Sequence, residues 1–376
     1  MWRWLARGTS FVICERSASP SARSWRTTSH INAFAGFLQR HRYAHQTAMM
    51  YFASVRHIGA WMAARHLAVE DLDEAAIETF DRHLPRCRCQ CGRLRGAATG
   101  VKHFLRYLRE HGIARPRQAP APPPAIITEY REWMKAHRGV GENTLNNYAR
   151  YLIRFLRVAG CDPSKYEPRT LRKFVVAQQS AKKTMISAVR TFIRFLIATK
   201  RCSTGLDHVV PSIAQWRLSS LPRYLPSADV ERVIATAPIG SRDRAVLLLL
   251  ARLGLRRGDI VALALADIDW SKGFIRVAGK SRRLAYLPLP SDVGNAILAY
   301  LRGQRLQADT DKVFVTAQAP IVAITPDTVS GIVYWAIRRA GIRAPSRGCQ
   351  LLRHSAATRW LREGLSMADI GVLLRH

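Results

Sequence analysis

Acidic residues are scarce in this sequence. Aspartate and glutamate together number 26, against 59 lysines and arginines, so the formal net charge is +33 and the pI is near 11.1. Such an excess of like charge destabilises a compact fold unless a polyanion neutralises it. Nucleic acid is the usual polyanion for a protein this basic, and the alternative is a merely soluble basic surface.

Long apolar runs are also absent. No run reaches the ~18 residues that a membrane-spanning helix needs, and the apolar stretch FVIC near the start is too short for the core of a signal peptide. Hydrophobic residues still make up 48% of the chain, which is enough for a buried core. We therefore expect a folded protein without a membrane segment.

Cysteines number seven, and an odd count in a large chain favours a reducing cytoplasm over a disulfide framework. Cys87, Cys89 and Cys91 are clustered, which invites a zinc hypothesis with His83 or His103 as the fourth ligand. Their spacing is C-x-C-x-C, however, and lacks the paired C-x₂-C of typical zinc sites. The sequence therefore favours an Arg- and Cys-rich loop, and we expect no metal and no cofactor.

Composition and periodicity divide the chain into five segments. Residues 1–29 are rich in Arg, Ser and Trp and differ from the rest of the chain, and we expect them to form a disordered N-terminal segment. RPRQAPAPPPA at 115–125 is a proline-rich linker that favours extended geometry. Apolar residues recur at helical spacing on both sides of this linker. The predicted folded domains are helical modules at 30–114 and 126–208 and a C-terminal domain at 220–376.

The second helical module carries arginines at helical spacing. Between residues 125 and 210 there are 16 lysines and arginines against 6 acids. The predicted stripes are Arg150, Arg154 and Arg157 on one helix, and Arg190 and Arg194 on another. Such a stripe suits the phosphate backbone of a nucleic acid, although a solvated helix face produces the same pattern.

Four short motifs follow one another in the C-terminal domain. They are LGLRRGD at 253–259, GK at 279–280 in a predicted β-hairpin, QLLRH at 350–354 and LLRH at 373–376. Around the last two, apolar spacing predicts two helices, with Gly364 ending the first and Ser366 capping the second, followed by Asp369 three residues on. An arginine on the first helix is thereby held beside a histidine at the end of the second.

Together these motifs resemble the tyrosine recombinase, or phage integrase, family. Its motifs read G-L-R-x-x-E/D, a lysine after a glycine in a β-hairpin, H-x-L-R-H and L-L-G-H, and the resemblance covers residues 125–376 best. It implies a mainly α fold with a small β-sheet (an α+β catalytic domain). It also implies a SAM-like N-terminal module at 30–114, a core-binding DNA-binding domain at 126–208 and a tyrosine recombinase catalytic domain at 220–376.

The resemblance also implies a function and its partners. The chain would be a site-specific recombinase or integrase of a mobile element, acting by phosphate transesterification on double-stranded DNA. A tyrosine attacks the phosphorus, leaving a 3′-phosphotyrosyl link and a free 5′-hydroxyl, with neither ATP nor metal. The expected assembly is a synaptic tetramer on DNA, and the expected location is the bacterial cytoplasm, associated with the nucleoid.

The family motifs assign roles to particular residues. Arg256 and Arg353 would bind phosphate oxygens through bidentate guanidinium forks. Lys280 would protonate the leaving 5′-oxygen, and His376 would donate a hydrogen bond to the phosphate or orient the nucleophile.

Neighbouring residues complete the expected site. Asp259 and His354 would support the side chains that contact the phosphate. Arg257 and Arg375 adjoin the motif arginines, and the register of the motifs favours Arg256 and Arg353 over them.

Two features depart from the family pattern. Gln350 stands where the family has a histidine or lysine, so it can hydrogen-bond the phosphate but cannot carry a proton near pH 7. The nucleophilic tyrosine is expected beyond His376, and no tyrosine follows Tyr334 in these 376 residues. We therefore expect a C-terminally truncated catalytic domain. The alternatives are a catalytically inactive DNA-binding remnant that occupies recombination sites, or a basic zinc- or RNA-binding module with chance motif matches.

Overall fold

The structure is a computed structural model that describes residues 27–87, 97–117, 122–177, 182–210, 223–278 and 284–375. It separates into two compact units, one made of residues 1–117 with 220–376 and the other of residues 118–219. Helices dominate and one small sheet is present, so the predicted mainly α fold is confirmed. None of the helices in the described part of the chain is long and apolar enough to cross a membrane.

The first helical module has a core of its own. Its helices are α1 (Thr27–Arg40), α2 (His45–Ala63), α3 (Glu74–His83) and α4 (Ala97–Glu110). Their apolar stripes meet around fully buried aromatic side chains, including Phe34, Phe80 and Phe104. The disordered segment predicted over 1–29 lies outside the described residues except for its last three, which belong to α1.

The unit at 118–219 is a second helical bundle. Its helices are α5 (Ala125–Arg138), α6 (Glu142–Ala159), α7 (Pro168–Ala177), α8 (Lys182–Ala198) and the single turn α9 (Leu206–Val209). Tyr130, Phe155 and Phe192 are completely buried between them. Gly139 ends α5 in the left-handed conformation at φ 55°, which glycine adopts with the least strain.

The C-terminal part is built around one helix that is buried on every side. Its elements are α10 (Ser227–Ala235), α11 (Arg242–Arg252), α12 (Arg257–Ala262), β1 (Ile268–Asp269), β2 (Phe274–Ala278), β3 (Leu284–Pro288), α13 (Ser291–Gly303), α14 (Pro326–Arg339), α15 (Cys349–Arg362) and α16 (Met367–Leu373). All residues of α11 from Ala245 to Ala251 are buried, as expected of a central helix that is apolar all round. The antiparallel sheet has the order β1-β2-β3, and Ala278 pairs with Leu284 at the end of the β2–β3 hairpin.

The last two helices form the predicted hairpin. Gly364 follows α15 at φ 95°, and the Ser366 hydroxyl accepts a hydrogen bond from the Asp369 amide at 3.1 Å. The Asp369 carboxylate in turn accepts from the Ser366 hydroxyl at 2.6 Å. The predicted stop and cap are therefore confirmed, and they determine where α15 ends and where α16 begins.

Candidate active site

Arg256 lies at the N-terminus of α12. Its backbone amide donates to Oδ2 of Asp259 at 3.0 Å, so this carboxylate caps the helix. Asp259 is buried at 8% exposure. The predicted support of Arg256 by Asp259 thus runs through the backbone of Arg256 rather than through its guanidinium group.

Arg353 projects from α15 and is 4% exposed. Its Nη1 donates to the carbonyl of Gly254, 99 residues away in sequence, and its Nη2 donates to the carbonyl of Leu374 at 2.6 Å. One guanidinium group therefore ties the turn between α11 and α12 to the end of α16.

Gly254 makes this junction possible. It has a φ of 56°, and a Cβ atom at this position would lie 2.8 Å from Cδ2 of Leu374 and 3.4 Å from the Trp360 ring. Both the left-handed backbone and the close approach of α16 require glycine here. The first glycine of the LGLRRGD motif, Gly254, is thus explained by its packing against Leu374 and Trp360.

Arg375 completes a cluster with Arg256 and Arg353. Its Nη2 contacts Oδ2 of Asp259 at 2.6 Å, and the two side chains are only 7% and 8% exposed. Its carbonyl accepts a hydrogen bond from Nη2 of Arg256 at 3.1 Å. A hydrogen bond therefore joins Arg256 to Arg375, and Arg353 binds the carbonyl of Leu374, the residue before Arg375.

The cluster is electrostatically suited to an anion. The Asp259 carboxylate pairs with the Arg375 guanidinium group, and burial, reinforced by Arg256 and Arg375, lowers the pKa of Arg353 to about 10. Burial also lowers the pKa of Arg375, even though Asp259 opposes this. Within the described residues, Nη1 of Arg256 and both Nε and Nη1 of Arg375 are buried and have no hydrogen-bond partner. A bound phosphate would supply both the negative charge and the acceptors.

The other predicted site residues lie in different settings. Lys280 and His376 fall outside the described residues; in sequence, Lys280 belongs to the connection between β2 and β3. Gln350 is exposed on the first turn of α15. His354 is also exposed, although burial of part of its ring, followed by the charge of Arg353, lowers its pKa.

Arg257 points away from the cluster. It is exposed and lies 3.3 Å from Oγ of Ser330 and 3.8 Å from a carboxylate oxygen of Asp327. Of these two adjacent arginines, Arg256 is the one whose guanidinium group contacts Arg375.

The predicted DNA-contacting arginines of the second bundle fall into two groups. Arg150, Arg154 and Arg157 are exposed along α6, and none of them makes an ion pair with another described residue. Arg190 donates to the Val210 carbonyl at 2.9 Å, and Arg194 pairs with Asp207 at 3.1 Å. The α6 stripe is thus available to a ligand, whereas the α8 arginines already have partners within the protein.

Comparison with known proteins matches the chain to one family. The phage integrase family model matches residues 223–376, and the model of the phage integrase N-terminal SAM-like domain matches residues 127–200. The integrase/recombinase y4rA of Sinorhizobium fredii is 32% identical over 302 residues, which cover 75% of this chain and 73% of the relative. The chain belongs to the phage integrase family of tyrosine recombinases.

More distant relatives agree with this placement. Tyrosine recombinase XerD of Listeria monocytogenes is 26% identical over 269 residues, covering 67% of this chain and 90% of XerD. The lambda integrase tetramer bound to a Holliday junction is 17% identical, with a TM-score of 0.51, and the match covers 76% of this chain and 84% of that one. This structural likeness shows the shared fold.

The motif register favours Arg353 over Arg375, but the structure places Arg375 in the same cluster. Arg375 occupies the position of the glycine in the family's L-L-G-H motif and keeps a left-handed backbone at φ 56°. An arginine at a position that favours glycine was the available signal, since few bulky residues adopt that conformation without compensation.

Proposed function

We propose that this chain is a site-specific DNA recombinase or integrase of a mobile element, acting by phosphate transesterification on double-stranded DNA. The observation that carries the proposal is the convergence of Arg256 and Arg353, from distant parts of the sequence, on one buried cationic cluster. Arg256 and Arg375 in this cluster have N–H groups without hydrogen-bond partners among the described residues. Preorganised donors of this kind stabilise the charge that develops on a phosphorane, and this is usually the largest catalytic contribution.

Each residue has a role in the proposed reaction. Arg256 and Arg353 bind the non-bridging oxygens of the scissile phosphate, and Gln350 adds a neutral hydrogen bond at its exposed position. Lys280 delivers a proton to the leaving 5′-oxygen. His376 donates a hydrogen bond to a phosphate oxygen or orients the nucleophile.

The proposed DNA interface extends beyond the catalytic cluster. The exposed α6 stripe of Arg150, Arg154 and Arg157 suits the phosphate backbone, in keeping with the proposed core-binding role of residues 126–208. The lambda integrase neighbour forms a tetramer on a Holliday junction, which supports a synaptic tetramer as the working assembly of this chain.

The nucleophile distinguishes two candidate functions. The last tyrosine in these 376 residues is Tyr334 on α14, and the family pattern places the nucleophile beyond His376. A polypeptide of these 376 residues alone therefore fits a DNA-binding protein that occupies recombination sites without cutting. With a tyrosine supplied after His376, the same cluster serves a recombinase.

A nicked suicide substrate, analysed by denaturing gel electrophoresis, tests both. The 376-residue polypeptide is expected to bind the duplex without forming a covalent band, and an extension carrying Thr-Thr-x-x-Tyr at the family spacing is expected to produce one. A matched extension with phenylalanine in place of that tyrosine should give none. An adduct formed by the unextended polypeptide and lost in Tyr334→Phe would instead identify Tyr334 as the nucleophile.

A further inference from the structure

A second cluster, separate from the arginines, lies in the first helical module. Ligand atoms of His57, His83 and Cys87 lie within 4.8 Å of one another. His57 comes from the middle of α2, His83 ends α3, and Cys87 follows the short 3-10 turn after α3. Packing of α2 against α3 therefore brings His57 to His83 and Cys87, which lie four residues apart at the end of α3.

The distances are near those of a coordinated metal. Nε2 of His57 lies 3.4 Å from Sγ of Cys87, and the ligand atoms of a tetrahedral zinc site are roughly 3.3–3.6 Å apart, as follows from Zn–N and Zn–S bonds of about 2.0 and 2.3 Å. A thiol–imidazole hydrogen bond alone would explain this one pair. It would not explain the third ligand atom, from His83, at the same point.

The surroundings also suit a structural metal. Phe80 is completely buried and packs edge-on against the His57 ring at 5.0 Å, and Trp61 packs against Phe80 at 5.6 Å. Imidazole and thiolate ligands together favour zinc over magnesium or calcium.

We propose that His57, His83 and Cys87 bind a zinc ion that fastens α2 to the end of α3. Three protein ligands leave one tetrahedral position for a further ligand. His103, the other histidine considered from the sequence, does not join the group. It stacks on Tyr51 at 5.1 Å, and its Nδ1 lies 3.3 Å from the Tyr43 hydroxyl.

The test is the zinc content of the tag-free, full-length chain, purified without chelator and measured by mass spectrometry. We expect about one zinc per chain, falling below roughly 0.2 in His57→Asn, His83→Asn and Cys87→Ser, because each removes one of the ligands that define the site. His66→Asn and Cys202→Ser are matched controls. His66 is exposed with a φ of 55°, which asparagine tolerates, and Cys202 belongs to the other unit.

Cobalt substitution and metal removal in the native chain keep the test independent of folding defects in the variants. The cobalt-loaded native chain should show a thiolate-to-cobalt charge-transfer band that disappears in Cys87→Ser, and removal of the metal with a chelator should lower the melting temperature of the native chain. A native chain that takes up neither zinc nor cobalt would overturn the proposal. So would a zinc content that remains unchanged in both histidine variants.

Discussion

Arg375 and Asp259 form a buried ion pair, with 2.6 Å between Nη2 and Oδ2, although the backbone of Arg375 is in the left-handed region at φ 56°. Asp259 also caps the helix that begins next to Arg256. The pair therefore links the end of α16 to the residue proposed to bind the phosphate. The Asp259 carboxylate thus orients Arg256 through its backbone and neutralises part of the charge of Arg375.

Two replacements of Arg375 distinguish the contribution of the ion pair to stability from that of the strained backbone. Arg375→Ala leaves Asp259 buried without its partner and should lower the free energy of unfolding by about 3–5 kcal/mol. Arg375→Gly loses the same pair but relieves the left-handed strain, so we expect it to be about 1 kcal/mol more stable than the alanine variant. Urea unfolding of both variants measures the difference, with Arg257→Ala as the exposed control. Equal stabilities would show that the φ of this position carries no strain.

Substitution of Gly254 should disturb the packing of the turn between α11 and α12 against the end of α16. In Gly254→Ala the new Cβ would clash with Leu374 and require a strained backbone, so the free energy of unfolding should fall by about 1–3 kcal/mol. Gly258, in the same motif, has open space around it and an ordinary φ. Gly258→Ala should therefore be neutral or slightly stabilising, because alanine favours helix. Equal losses in both variants would contradict the packing explanation.

The α6 stripe should determine part of the salt dependence of DNA binding. Loss of Arg150, Arg154 and Arg157 together should reduce the slope of log affinity against log salt by about 2–3, since each phosphate contact contributes about 0.9. The matched double variant of Arg190 and Arg194 should change this slope less, because those side chains have partners within the protein. A titration by fluorescence anisotropy distinguishes the two. An unchanged slope in the α6 variant would remove that face from the DNA interface.

His103 should make the first helical module sensitive to acid. Burial, followed by the charge of Arg106, lowers the pKa of His103, so the unfolded chain binds a proton more readily than the folded one. Stability should therefore fall as pH drops below about 6.5, the ordinary histidine pKa. His103→Gln should make this loss shallower, by less than one proton, between pH 7 and pH 5. Melting temperatures across that range test the effect, and a slope identical to that of the native chain would count against it.

Local structure and family membership follow from the amino-acid sequence alone. Gly364 and Ser366 predicted the end of α15 and the start of α16 because stop and cap signals act within one helical turn. The order of the four motifs indicated the recombinase fold and the choice of Arg256 and Arg353, and the family placement is confirmed. These features depend on residues close together in sequence or on a pattern that many chains share.

The contacts between side chains that are distant in sequence are specified by the packing of the folded chain. Arg353 contacts carbonyls in two other elements, and Arg375, set aside on motif register, pairs with Asp259 across 116 residues. His57 reaches Cys87 only because α2 packs against α3. Periodicity specifies which face of a helix is buried but not which partner covers it, because the partner is selected by the packing of the whole core.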